Sequence, residues 1–116
     1  LAREALHELF KHPEKRVVTC DTIQDAVANY YGISVDDLKS PKRSHEITVP
    51  RQIAMYLCRE LTDMSLPKIG QELGGRDHTT VIHADRKIRE LMAERRAIYN
   101  QVTELTNRIK QQQREA

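Results

Sequence analysis

The sequence predicts an all-α protein of about six helices in a single compact domain. Apolar residues recur at helical spacing through most of the 116 residues. The chain has no Trp, one Phe, four Gly and four Pro, so it offers few of the aromatic residues and turn signals that a sheet requires. A domain usually holds roughly 100–150 residues, so this length leaves no room for a second one.

The first helix is predicted over residues 1–11, and Pro13 ends it. Residues 14–20 are charged and then β-branched, which is typical of a linker. Because the chain begins with Leu1 and the opening helical pattern has no natural start, we expect the sequence to be a fragment of a larger protein.

The second helix is predicted to begin with a capping box of Asp21 and Gln24 and to end at Gly32. Ser34 starts a short helical turn through residue 38. Residues 40–50 have no sustained apolar period and are predicted to form a loop.

The third helix is predicted to start near Pro50, which fits the first turn of a helix. The loop and this helix carry a local positive charge although the whole chain has a net charge of +2. A local basic surface can attract a polyanion. Residues 39–59 contain one acidic residue, Glu46, and five basic residues: Lys39, Lys42, Arg43, Arg51 and Arg59.

Two further helices have the spacing of a helix-turn-helix. Ser65 caps a short helix that stops at a Gly74-Gly75 pair, and Asp77 caps a longer one. No Gly or Pro marks the end of this longer helix. One helix to about residue 111 and two helices that separate near residues 93–97 therefore both remain open.

No motif for catalysis, a cofactor or a metal is present in the sequence, so we predict neither enzymatic activity nor a cofactor in this fragment. Cys20 and Cys58 lack metal-ligand spacing and are interpreted as reduced thiols of a cytoplasmic protein. His78 and His83 are five residues apart on a helix and point in different directions. No apolar run approaches membrane-spanning length.

A DNA-binding surface is predicted from the helix-turn-helix and the basic loop. Residues 77–80 are polar and begin the second helix of the motif, the end that meets base edges in the major groove. Lys42 and Arg43 lie in a loop that could reach the adjacent minor groove. The alternatives are that Asp77 caps its helix without touching a base and that the loop is an ordinary solvated segment. Four further basic residues have two interpretations, either as phosphate contacts or as ordinary surface charges: Arg51, Arg59, Lys68 and Arg76.

Three sequence segments resemble the C-terminal DNA-binding domain of the bacterial replication initiator DnaA. They are GGRDHTTVIHADRKI at residues 74–88, SLPKIG at 65–70 and PRQIAMYLCRELT at 50–62, and the match runs in order over residues 21–91. The resemblance implies a Trp-repressor-like domain over residues 21–116 that binds the boxes of the chromosomal origin. It also implies residue roles: base contacts by Arg43, Pro67, Asp77, His78, Thr79 and Thr80, and backbone contacts by Lys42, Arg51, Arg59, Lys68 and Arg76.

The resemblance further implies an ATP-binding domain before Leu1, with residues 1–20 as its connector helix and linker. In the family this connector region is associated with acidic membrane lipids, and the DNA-binding domain is expected to be monomeric without DNA. Two alternatives come from other classes. One is a helix-turn-helix transcription regulator that dimerises through the apolar stripe of residues 98–109. The other is a membrane-surface module built on residues 1–11.

Overall fold

A computed structural model of the chain describes residues 18–115, and these form six helices without a strand. The all-α prediction is therefore confirmed. The predicted helix at residues 1–11 and most of the linker lie outside the described residues. The helices are α1 Cys20–Tyr31, α2 Val35–Lys39, α3 His45–Leu61, α4 Leu66–Glu72, α5 His78–Glu94 and α6 Arg96–Glu115.

Helix α3 lies at the centre and packs against α1, α2, α4 and α5, while α6 packs against α1 and α5. The buried stripe of α3 includes Ile53, Leu57 and Cys58. Burying one large aliphatic side chain contributes about 1.5–3 kcal/mol, so this stripe accounts for much of the core. Both cysteines are free and buried, and their Sγ atoms lie 3.1 Å apart. No helix in the described part of the chain is long and apolar enough to span a membrane.

Helix α1 begins two residues earlier than predicted, with Thr19 in place of Asp21 as its N-cap. The Thr19 side chain accepts a hydrogen bond from the backbone N–H of Thr22 at 3.2 Å. The predicted capping box is wrong, because Gln24 lies on the buried face, where its amide donates to the carbonyl oxygen of Glu72 at 3.5 Å. Gly32 ends the helix in the left-handed conformation, as predicted.

Helix α3 begins at His45, so the predicted loop is shorter and Pro50 lies inside the helix. The carbonyl oxygen of Ser44 accepts from the N–H groups of Ile47 and Thr48, at 3.0 and 2.8 Å, which forms the first turn. Ile47 and Pro50 are both buried. Burial of these two side chains stabilises a turn that the irregular apolar pattern did not indicate, and the basic loop is reduced to residues 40–44.

The long C-terminal helical pattern divides into α5 and α6 at Arg95, whose backbone is extended at φ −127° and ψ 114°. The break lies inside the interval left open above. Helix α6 then turns Val102, Leu105 and Ile109 into the core. It also joins α1 through Tyr31, whose hydroxyl donates to Gln101 Oε1 at 2.7 Å.

Candidate nucleic-acid interface

The turn of the helix-turn-helix is built from glycines. Gly74 and Gly75 have φ angles of 96° and 73°, in the left-handed region that favours glycine. At Gly70, a Cβ atom would lie 2.0 Å from the carbonyl oxygen of Arg76. The N–H of Arg76 donates to the carbonyl oxygen of Gly70 at 2.8 Å. Backbone therefore packs directly on backbone, which fixes how α5 leaves α4.

The exposed N-terminal end of α5 is organised by the carboxylate of Asp77. Asp77 Oδ1 accepts from the N–H of Thr80 at 3.2 Å, from Thr79 Oγ1 at 2.6 Å and from Thr80 Oγ1 at 3.3 Å. The hydrogen bond from the Thr79 hydroxyl, followed by that from the Thr80 N–H, holds the pKa of Asp77 below its usual value. Asp77 thus caps the helix as predicted, and it also fixes the two hydroxyl groups.

This arrangement decides which groups face a ligand. Each threonine hydroxyl gives its hydrogen to Asp77, so its oxygen lone pairs and the γ-methyl group are the groups left to meet a base edge. His78 is exposed beside them, and a neutral imidazole carries one donor and one acceptor. Such groups can contact a thymine methyl, a base acceptor or an amino group in the major groove.

Helix α4 presents Pro67 and Lys68 on the same motif. Both side chains are exposed, and Ser65 caps the helix by accepting from the N–H of Lys68 at 3.3 Å. Lys68 Nζ lies 3.8 Å from Glu72 Oε2, with 63% of the lysine side chain exposed. Exposed pairs of this kind contribute about 0–1 kcal/mol, so Lys68 can exchange this partner for another anion.

The loop at residues 40–44 carries Lys42 and Arg43, and both are exposed. Lys42 Nζ lies 2.9 Å from Asp37 Oδ1. This hydrogen bond, with one from the Ser34 N–H, lowers the pKa of Asp37. Ser34 and Asp37 also form the capping box of α2. The basic loop is therefore held near α2 at Lys42. Arg43 is the next residue and lies between Lys42 and the N-cap of α3.

Arg51 occupies a position that the sequence did not indicate. It is 6% exposed and donates to three carbonyl oxygens, those of Leu38 at 2.8 Å, Ser40 at 2.9 Å and Asp37 at 3.2 Å. Desolvation lowers the pKa of its guanidinium group. The expectation of a surface arginine at position 51 is corrected, because the last carbonyl groups of α2 lack partners within their helix and Arg51 supplies the donors.

Arg76 and Arg59 also have partners within the fold. Arg76 is half-buried and donates to the carbonyl oxygens of Leu73 and Ser40, the latter at 2.7 Å. Arg59 Nη1 lies 3.2 Å from Asp85 Oδ2, with 43% of the arginine side chain exposed. Both arginines thus remain partly accessible to a phosphate group.

A second network, which sequence reasoning missed, joins α3 to α5 around the buried side chain of Asp85. Asp85 Oδ2 accepts from Arg89 Nε at 3.0 Å, and Arg89 Nη2 reaches Glu60 Oε2 at 2.7 Å. The spacing of Asp85 and Arg89, four residues apart on one helix, was the available signal. Across residues 18–115, no group of three or more His, Cys, Asp or Glu side chains is placed to hold a metal ion.

Comparison with known proteins gives a family for this arrangement. Residues 20–88 match the family described as "Bacterial dnaA protein helix-turn-helix". The chain belongs to this family. The matched segment includes α1 to α4 and most of α5, and therefore contains the glycine turn and residues 77–80.

Two relatives extend the match beyond the family segment. The chain is 58% identical over 111 residues to the chromosomal replication initiator protein DnaA of Cutibacterium acnes (strain DSM 16379 / KPA171202), which covers 96% of this chain and 22% of that protein. A solved structure described as a DNA replication initiation factor superposes with a TM-score of 0.70 at 34% identity, over 94% of this chain and 32% of the other. The chain therefore spans about a fifth to a third of these relatives.

Proposed function

We propose that this domain binds double-stranded DNA at the boxes of a bacterial chromosomal origin and so supports the initiation of replication within a DnaA protein. The observation that carries the proposal is the exposed end of α5, where Asp77 holds Thr79 and Thr80 at the start of the second helix of the motif. Membership of the DnaA helix-turn-helix family supports it.

In the proposed complex the two halves of the surface read adjacent grooves. The N-terminal end of α5 enters the major groove, where residues 77–80 meet base edges and Pro67 contacts a thymine methyl. Arg43 enters the neighbouring minor groove. Phosphate contacts come from Lys42, Arg59, Lys68 and Arg76, each of which is at least partly exposed. Arg51 is left out because the residue is only 6% exposed and donates to three backbone carbonyl oxygens.

The domain performs no chemistry itself in this proposal. ATP belongs to a preceding region of the longer protein, and the cytoplasm, where the chromosome lies, is the proposed location. The predicted contact with acidic lipids concerns the connector region, which lies largely outside the described residues.

The base-reading roles are tested by comparing a cognate box with a scrambled duplex in a fluorescence anisotropy titration. We expect Arg43→Ala, His78→Ala and Thr79→Ala each to cost about 1–3 kcal/mol of discrimination, because each removes a contact that depends on sequence. Equal weakening on both duplexes would contradict these roles.

The phosphate contacts are tested by the salt dependence of binding. Lys68→Ala is expected to weaken binding to all sequences and to lower the slope of log K against log salt by about 1, since one fewer counterion is released. Lys110→Ala removes the same charge from an exposed position on α6 and serves as the control. An unchanged slope for Lys68→Ala would remove it from the phosphate contacts.

A further inference from the structure

A pair of arginines attaches the start of the basic loop to α3 and to the turn of the helix-turn-helix. The carbonyl oxygen of Ser40, the first residue of the loop, accepts from Arg51 Nη2 at 2.9 Å and from Arg76 Nη2 at 2.7 Å. A carbonyl oxygen has two lone pairs, so both bonds can form at once. Arg51 belongs to α3, whereas Arg76 lies in the turn of the helix-turn-helix and directly precedes Asp77.

A close approach of one backbone segment to another occurs at the same place. A Cβ atom on Gly74 would lie 2.4 Å from the carbonyl oxygen of Lys39, which is the last residue of α2. The glycine turn therefore rests directly on the end of α2. The far end of the loop is also held, because the carbonyl oxygen of Ser44 accepts from the N–H groups of Ile47 and Thr48 in the first turn of α3.

We infer that Arg51 and Arg76 form a clamp on Ser40 that sets the position of the basic loop relative to the reading end of α5. They are positioning residues for Arg43. This inference rests on the proposed function, in which Arg43 and residues 77–80 must meet adjacent grooves together. A loop that is ordered before binding loses less conformational freedom on the DNA, so the clamp raises affinity and sharpens the reading by Arg43.

The DNA-binding consequence is tested by a double-mutant cycle of Arg76→Gln and Arg43→Ala on the cognate box. If Arg76 acts through the loop in addition to its proposed phosphate contact, Arg76→Gln weakens binding about two- to tenfold in the native background and clearly less once Arg43 is absent. Arg96→Gln makes the same chemical change at an exposed position on α6 and is expected to have no effect. Losses that add would show that Arg76 acts independently of Arg43, through its phosphate contact alone, and would overturn the clamp.

The clamp is also tested without DNA, by amide hydrogen exchange of Ser40 and Lys42. These N–H groups donate to Asp37 O at 3.2 Å and to Ser40 Oγ at 3.3 Å. Both Arg76→Gln and Arg76→Lys are expected to accelerate their exchange several-fold, because a lysine keeps the charge but lacks the planar fork that reaches two carbonyls. Arg76→Lys also provides a second variant should Arg76→Gln fold poorly.

Unchanged exchange in Arg76→Lys would overturn the clamp, as would full preservation of cognate binding in a folded Arg76→Gln variant. Failure of the proposed function gives a different result. If Arg43→Ala left discrimination intact, the reading role of Arg43 would fall, while faster exchange at Ser40 would still support the clamp.

Discussion

At the scale of single residues, the carboxylate of Asp77 has two structural tasks that are inseparable in this fold. It caps α5 through the N–H of Thr80, and it fixes the hydroxyl groups of Thr79 and Thr80. A capping role was predictable, because Asp precedes the first residue of a periodic helix. The fixing of the threonines depends on side-chain rotamers, which the spacing of residues in a sequence does not encode.

The charge of Asp77 is expected to make stability depend on pH. Its pKa is lowered in the folded state, chiefly by the Thr79 hydroxyl, so the carboxylate stabilises the fold above the unfolded pKa of about 4. That contribution is lost as the pH falls through the lower folded pKa. We expect the native protein to melt above Asp77→Asn at pH 7 and the difference to shrink below pH about 4. A difference that stays constant on acidification would contradict this, and Asp25→Asn on α1 is the control.

Arginines show where residue-level prediction fails. Ile47, Arg51, Ala54 and Cys58 are spaced at 4, 3 and 4 residues, so they lie on one face of a helix that starts at His45. With the helix predicted from Pro50, Ile47 fell in the loop and this face was not evident. The wrong prediction for the start of α3 therefore caused the wrong prediction that Arg51 lies on the surface.

At the scale of elements, local capping was largely predictable. Ser34, Ser65 and Asp77 each cap the helix that the sequence indicated, since a cap depends on a few adjacent residues. The start of α3 depends on tertiary burial of Ile47 instead. The break at Arg95 carries neither Gly nor Pro, so periodicity alone could not locate it.

Two glycines are expected to respond differently to alanine. Gly70→Ala places a Cβ atom 2.0 Å from the backbone of Arg76, and we expect a loss of about 3 kcal/mol because neither backbone can yield without moving the turn. Gly32→Ala meets nothing within 4 Å but retains a φ of 70°, at a cost of about 1 kcal/mol. Urea unfolding measures both. Similar losses, or weaker DNA binding for Gly32→Ala alone, would contradict the assigned role of Gly70.

The contact between α1 and α6 is expected to appear in an alkaline titration. Burial, with a smaller effect of Tyr30, raises the pKa of Tyr31 to about 12. The folded state thus keeps a proton that the unfolded chain releases near pH 10, and stability falls as the pH rises from about 10 to 12. Absorbance near 295 nm should contain a step near pH 12 that Tyr31→Phe removes and Tyr99→Phe, at an exposed position, retains. Persistence of the step in Tyr31→Phe would contradict the assignment.

At the scale of the whole molecule, three of the cations proposed to contact phosphates are paired with acids within the fold. Lys42, Arg59 and Lys68 each face an acid at 2.9, 3.2 and 3.8 Å. DNA binding would exchange these carboxylates for phosphates. The sequence indicated the positive segment, but the pairing of Arg59 on α3 with Asp85 on α5 required the tertiary structure.

The domain is expected to be monomeric without DNA. In the described part of the chain, Tyr99 is the one large hydrophobic residue classed as exposed, at 45%, and a stable dimer needs a larger apolar surface. The apolar stripe of α6, which could have served a dimerising regulator, is turned into the core. Sedimentation equilibrium should give a single species of 13.5 kDa up to about 100 μM. Concentration-dependent dimers would favour the transcription-regulator alternative.

The folding unit is larger than the proposed DNA-binding surface, because it includes α6. The family segment stops at Ile88, yet Val102, Leu105 and Ile109 complete the core. A protein shortened to residues 20–88 would keep every residue proposed to touch DNA, but it would expose the faces that α6 covers. The proposed recognition of a box would therefore depend on the cooperative stability supplied by a helix that contributes none of the proposed contacts.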